Sequence, residues 1–257
     1  MSARFTALHG AAATLHLVQG AALSYLIARR SKSSVKWPIT RLGWERVIDD
    51  KTCRFELGVL VPVFPLLSSV NHLASAVGRG WYARILEKKV NWLRWAEYSL
   101  SAGVMTFIIS ILSGVTEVRT LTSLMIMNVT LQVLGMMIEV RKAEGAPRSD
   151  IVALLCVAWG VFSSMWVQII VSFYTVVSDG SKPPTAVYSI IWTMFSLFAS
   201  FGVAQTLYCF DVMSFASYEV TLASLSLTSK SLLSWLVYGG ILVNNRQVVS
   251  SRDASGG

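Results

Sequence analysis

A chain of 257 residues with 54% hydrophobic and only 14% charged positions, at a mean hydropathy of +0.57, is too apolar for a soluble domain, where about a quarter of residues carry charge. Its net charge of +8 would suit nucleic acid, but the basic residues sit at the edges of apolar stretches and not in one soluble patch, so anionic lipid headgroups are the expected partners and nucleic acid is excluded. Cys53, Cys156 and Cys209 are odd in number and scattered, which argues against a disulfide framework and against a CxxC metal or redox site.

Apolar stretches of about 20 residues cross a hydrocarbon core as helices. Taken in chain order they predict spans at Phe5–Ala28, Phe55–Val77, Val90–Val115, Leu121–Val140, Ile151–Val177, Ala186–Phe210 and Glu219–Val243. The first is long, contains His16, has only Arg4 before it and is followed by a basic run, so it is expected to stay as a helix and not to be cleaved as a signal. Residues 29–54 form the one long connection, and their TRLGWERV portion has the composition of a small β-hairpin. The remaining connections are short. The expected fold class is therefore an all-α membrane protein, a seven-helix bundle over residues 1–243 with a disordered polar tail at 244–257. No room is left for a separate catalytic domain, and an enzyme is not expected. Orientation is undecided by charge: counting Lys and Arg over all loops narrowly puts the N-terminus outside, and omitting the long first loop reverses the vote.

Ionisable residues within spans are costly in lipid and so point to function. Lys230 lies at the centre of span seven, about 15 Å or more from either end at the helical rise of 1.5 Å per residue, too deep to snorkel comfortably. A buried amine favours its neutral, nucleophilic form, which condenses with aldehydes to a Schiff base. The plainer reading is a lysine lining a transport cavity or held in a structural pair. A protonated imine needs a buried counterion, and Glu97 in span three is the candidate. Arg94, one turn earlier on the same face, offers the alternative of an Arg94/Glu97 pair at the membrane edge.

His16 in span one, and His72 in span two with Ser68 one turn before it, could build a water-containing, proton-accepting cavity with Ser226, which shares a helix face with Lys230. Each histidine could equally be bonded to a neighbouring helix. Asn128, Glu139 and Gln205 read as bridges between helices. Trp166, Phe195, Phe198 and Trp235 could clamp a flat polyene, or simply pack or face lipid.

These residues together resemble a family. A lysine in the last of seven spans and a carboxylate in the third look like a microbial-type rhodopsin, and the details resemble heliorhodopsins. RWAEYS at Arg94 to Ser99 is similar to the heliorhodopsin pattern with a glutamate counterion. SLTSKSLLSW at Ser226 to Trp235 resembles the family's SxxxK segment, with a serine where pumps carry a second aspartate. HLVQ at His16 to Gln19, SSVNH at Ser68 to His72, NVTLQVLGMMIE at Asn128 to Glu139 and the long loop after span one extend the likeness over residues 5–243, while spans five and six match loosely.

The resemblance implies a light receptor with all-trans retinal on Lys230 and Glu97 as counterion. It places His16, His72, Ser68, Tyr98 and Ser226 around the imine and Ser101 among the retinal-binding residues, and implies a homodimer with a cytoplasmic N-terminus and an unknown downstream signalling partner. No metal site and no catalytic residue are expected. Two other classes compete. One is a light-gated or light-driven proton pathway using Glu219, Asp211, Glu56 and Glu139, although carboxylates near predicted helix ends are ordinarily solvated surface charge. The other is a retinal-free transporter or receptor that binds its ligand through Lys230, for which no inverted repeat or broken pair of half-helices is visible.

Overall fold

In a computed structural model, residues 3–29, 36–39, 53–180 and 182–243 are described. Among them, seven stretches are long and apolar enough to cross a membrane. Span one is α1 (Ala3–Arg29); span two is α2 (Leu57–Leu60) with α3 (Val63–Val77); spans three to six are α5 (Trp92–Leu112), α6 (Val118–Ala143), α7 (Arg148–Ser178) and α8 (Thr185–Cys209). Span seven is α9 (Phe215–Leu236) continued by a π-helical stretch, Val237–Val243. A short helix, α4 (Arg79–Glu87), precedes α5. Sequentially adjacent spans pack together, and α9 returns to α1, closing the bundle.

The boundaries fall close to the apolar stretches, and local chemistry sets them. Asn91 caps α5 by accepting from Arg94 N at 3.1 Å. Glu117 caps α6 through Arg119 N and Thr120 N at 2.9 and 2.6 Å, and Ser214 caps α9 through Ser217 N at 3.2 Å, each serving an amide that the helix leaves unpaired. Two features depart from the seven uniform helices that the sequence predicts. Span two breaks between α2 and α3 around Val61 and Pro62, where proline lacks the amide that the ladder needs. Span seven loosens into π geometry at Gly239 and Gly240, and a methyl on Gly240 would overlap Ala186 of α8.

In the long first connection, β1 (Lys36–Ile39) pairs antiparallel with β2 (Cys53–Glu56), with Lys36 opposite Glu56 and Ile39 opposite Cys53. The TRLGWERV portion lies outside the described residues, as does the tail at 244–257.

Large apolar side chains such as Leu17, Val18, Val70, Leu73, Val167 and Val171 face outward, as expected where the solvent is lipid. The interior is divided. The half of the bundle away from the N-terminus is filled by Leu23, Leu57, Phe64, Ile108, Ile109, Phe173, Ile190, Val237 and Ile241. The half toward the N-terminus holds His9, His16, His72, Asn91, Arg94, Glu97, Glu139 and Glu219, all buried.

Candidate functional site

Lys230 is buried at mid-span on α9. Its Nζ donates to Glu97 Oε1 at 3.0 Å and to Ser226 Oγ at 2.8 Å. Four residues is just over one helical turn, so Ser226 stands beneath the lysine on the same face. Ser68 Oγ of α3 donates to the same Glu97 oxygen at 2.6 Å, so three helices converge on one carboxylate. Tyr98 OH donates to Leu222 O at 3.0 Å, which holds its ring with Nζ 4.9 Å from the centroid. The electron-rich face of a ring so placed attracts a cation. Glu97 Oε2, Ser101 Oγ and both His16 ring nitrogens have no hydrogen-bond partner among the described residues.

From Lys230 a cavity of about 110 Å³ runs between α5, α6, α7 and α8. Its walls include Tyr98, Ser101, Trp159, Phe162, Phe198 and Phe201. Gly202 lets the wall close in, since a Cβ there would lie 2.9 Å from Trp159. Trp166 and Phe195 form the layer behind, with ring centroids 5.8 Å for Trp166 to Phe198 and 5.9 Å for Phe195 to Phe162. Trp235 is placed elsewhere: it is 42% exposed, packs on Tyr238 and does not line the cavity. Five residues beyond Lys230, it is turned about 140° round the helix. A primary amine with its own carboxylate, opening onto an aromatic apolar slot with few polar groups, fits an aldehyde on a flat polyene.

His16 and His72 come together, stacked at 5.7 Å with 13° between ring planes. Beyond them lies a second cluster. Arg94 does not pair with Glu97; it forms ion pairs with Glu139 of α6 and Glu219 of α9. Asn91 donates to Glu139 Oε2 from its backbone at 3.1 Å and to Glu219 Oε2 from its side chain at 2.9 Å, while Tyr82 OH of α4 donates to Glu219 Oε2 at 3.3 Å. Glu139 thus bridges helices, one of the two roles the sequence offered for it, and the other reading, of Glu139 and Glu219 as solvated charges near helix ends, is corrected. Helix α9 starts at Phe215, a turn before the predicted start, and carries Glu219 inside the bundle.

Asp211, in contrast, is at the surface and bridges to Lys142 Nζ at 2.6 Å; the side chain of Glu56 lies outside the described residues. Gln205 bridges helices by donating to Gly135 O at 2.9 Å. Asn128 lines the cavity instead, with its Nδ2 unpaired among the described residues.

Sequence reasoning missed Trp159, Phe162 and Phe201 as wall residues, and His9, Tyr82 and Asn91 as partners. Helical spacing was the available signal: Trp159 and Phe162 precede Trp166 by seven and four residues, Phe201 follows Phe198 by three, and His9 precedes His16 by seven.

Seven helices closing around a buried lysine, with a carboxylate at its amine and an aromatic slot beside it, define the rhodopsin class of membrane protein. Solved structures share the fold. The transmembrane domain of Salpingoeca rosetta rhodopsin phosphodiesterase is similar at a TM-score of 0.69 and 11% identity, over 93% of this chain and 84% of that one. A cyanorhodopsin from the cyanobacterium Calothrix sp. matches at 0.67 and 10%, over 93% and 96%. A light-driven proton pump from Leptosphaeria maculans matches at 0.65 and 11%, over 93% and 95%. Among curated proteins, none matches this chain significantly. The sequence profile of the heliorhodopsin family matches residues 5–242, and the chain belongs to that family. It is accordingly an integral, multi-pass membrane protein of the retinal-binding, light-responsive kind.

Proposed function

We propose that this chain is a light receptor that carries all-trans retinal on Lys230, with Glu97 as counterion. The observation that carries the reading is the Lys230 amine, 3.0 Å from Glu97 Oε1 at the head of an aromatic cavity. When bound, retinal supplies absorption of visible light and a double-bond isomerisation. Lys230 Nζ holds the proton, Glu97 balances its charge, and Ser68 and Ser226 fix the carboxylate and the nitrogen in register. Both Oε1 contacts come from fixed donors, so the site needs little reorganisation to hold a cation. A shift of Nζ away from Glu97 frees its proton for the unpaired nitrogens of His16 and its stacked neighbour His72. Loss of the Nζ to Glu97 ion pair removes the mid-span tie between α9 and α5 while those of Tyr98 and Arg94 stay, and the resulting rearrangement is the slow signal, passed to a partner protein or across a homodimer. The N-terminus faces the cytoplasm in this reading, which the family membership supports.

Retinal supplied to expressing cells should colour their membranes, and Lys230→Ala should leave them colourless. Purified wild-type protein that stays colourless with the aldehyde, its Lys230 amine still open to chemical labelling, would falsify the proposal.

A further inference from the structure

The third histidine, His9, has a role of its own beside the site. His9 is buried on α1, two turns before His16 and on the same helix face. Its Nδ1 is 2.8 Å from the Nδ1 of His72. Two imidazole nitrogens this close hold one proton between them, one ring donating and the other accepting. With His16 stacked on His72, the three rings run side by side from mid-membrane toward the N-terminal face. The His9 ring then meets the edge of Tyr82 at 4.9 Å, and Tyr82 leads to Glu219. A cavity of about 10 Å³ is shared by His9, His72, Tyr82, Asn91, Arg94 and Glu219, roughly the least space that accepts one water. Arg94 offsets one of its two carboxylate partners, so the Arg94–Glu139–Glu219 cluster keeps one net negative charge when both are ionised. That charge attracts a proton through low-dielectric surroundings.

We infer that His9 and His72 form one proton relay, joined through their Nδ1 atoms, which carries the proton released at Lys230 to the Arg94–Glu139–Glu219 cluster. The inference rests on the reading that Lys230 carries retinal. A proton arriving on Nε2 of His72 makes that ring a cation. The shared proton crosses from Nδ1 of His72 to Nδ1 of His9, neutralising the first ring and charging the second. His9 then gives up its Nε2 proton toward the cluster, directly or through one water. Both rings end neutral with their tautomers exchanged, and one carboxylate has gained a proton; the return transfer restores them.

Two measurements test the relay. In retinal-free wild-type protein in nanodiscs with ¹⁵N-labelled histidine, coupling across the shared hydrogen bond is expected between the two Nδ1 nuclei; its absence, with both rings resolved, overturns the relay. This arm requires no variant to fold. In retinal-loaded protein, His9→Asn and His9→Gln should keep the wild-type absorption band while the infrared band of the protonated carboxyl, Glu139 or Glu219, rises after a flash at least about tenfold more slowly, since His72 has lost the ring that takes its proton on. Coloured variants with wild-type rates overturn the relay and leave the retinal reading standing, as does a coloured wild type whose Nζ never loses its proton. A colourless wild type overturns both.

Discussion

At Arg94 one guanidinium stands between two buried carboxylates drawn from helices far apart in sequence. Such a triad need not be worth much against an apolar replacement of all three, but breaking it by removing one partner leaves unpaired charge in a dry interior, at a cost of about 3–5 kcal/mol. Arg94→Leu should therefore lower the thermal unfolding midpoint sharply in detergent, and a double substitution that also makes Glu139→Gln should recover part of the loss. On the proposed reading, Glu97 acts on colour as well as on stability, because it is half of the buried pair with Lys230. The carboxylate stabilises positive charge held at Lys230 Nζ, so Glu97→Gln should move the absorption band of the retinal-loaded protein to longer wavelength. An unchanged spectrum would remove Glu97 from the counterion role. Lys230 and Glu97 were legible in the sequence because charge inside an apolar run is conspicuous. The partners of Arg94 were not, because a residue three positions away on its own helix competes in sequence with two that only the folded bundle brings near.

Elements are placed by their ends. The Ser214 cap starts α9 one turn ahead of Glu219, and that turn carries the carboxylate from the expected surface into the Arg94 cluster. Ser214→Ala should cost about 1 kcal/mol, read as a lower unfolding midpoint. At the adjoining turn Asp211 is exposed, and the Lys142 ammonium hydrogen-bonded to it holds its carboxyl below the usual carboxylate range. Because the folded value is the lower one, this tie between the end of α6 and the turn before α9 is present above the ordinary carboxylate pKa. It is lost as pH falls through the depressed value. Asp211→Asn should flatten that part of the acid unfolding profile. Spans were readable from hydropathy because twenty apolar residues have few other uses. The short helix α4 escaped notice because its nine residues are mixed in polarity; what makes it matter is the inward Tyr82, a contact with Glu219 across 137 residues of chain.

Across the whole molecule, the polar interior of the described residues thins out near the level of Lys230. Toward the N-terminal face run His16, His72, His9, Tyr82, Asn91 and the Arg94 cluster; toward the opposite face the described core is Leu23, Phe64, Ile108, Phe173, Ile190 and Val237, packed together. A proton conducted through the membrane needs hydrogen-bonding groups or water on both sides of the lysine, and an apolar plug that fills one half raises the cost of any charge within it by several kcal/mol. The hydroxyls of Thr106, Ser110 and Ser234 are buried in that half without partners among the described residues, too few and too scattered beside the apolar packing to form a file. On the proposed reading, protons released at Lys230 are therefore expected to move into one face and come back. Whole-cell recordings under continuous illumination, with retinal supplied, should show a transient charge displacement at light onset and its reversal at light-off, without a steady current at any holding voltage. A sustained photocurrent that reverses with the proton gradient and disappears in Glu97→Gln would replace the receptor with a light-gated conductor, and would require the apolar half to open during the light cycle.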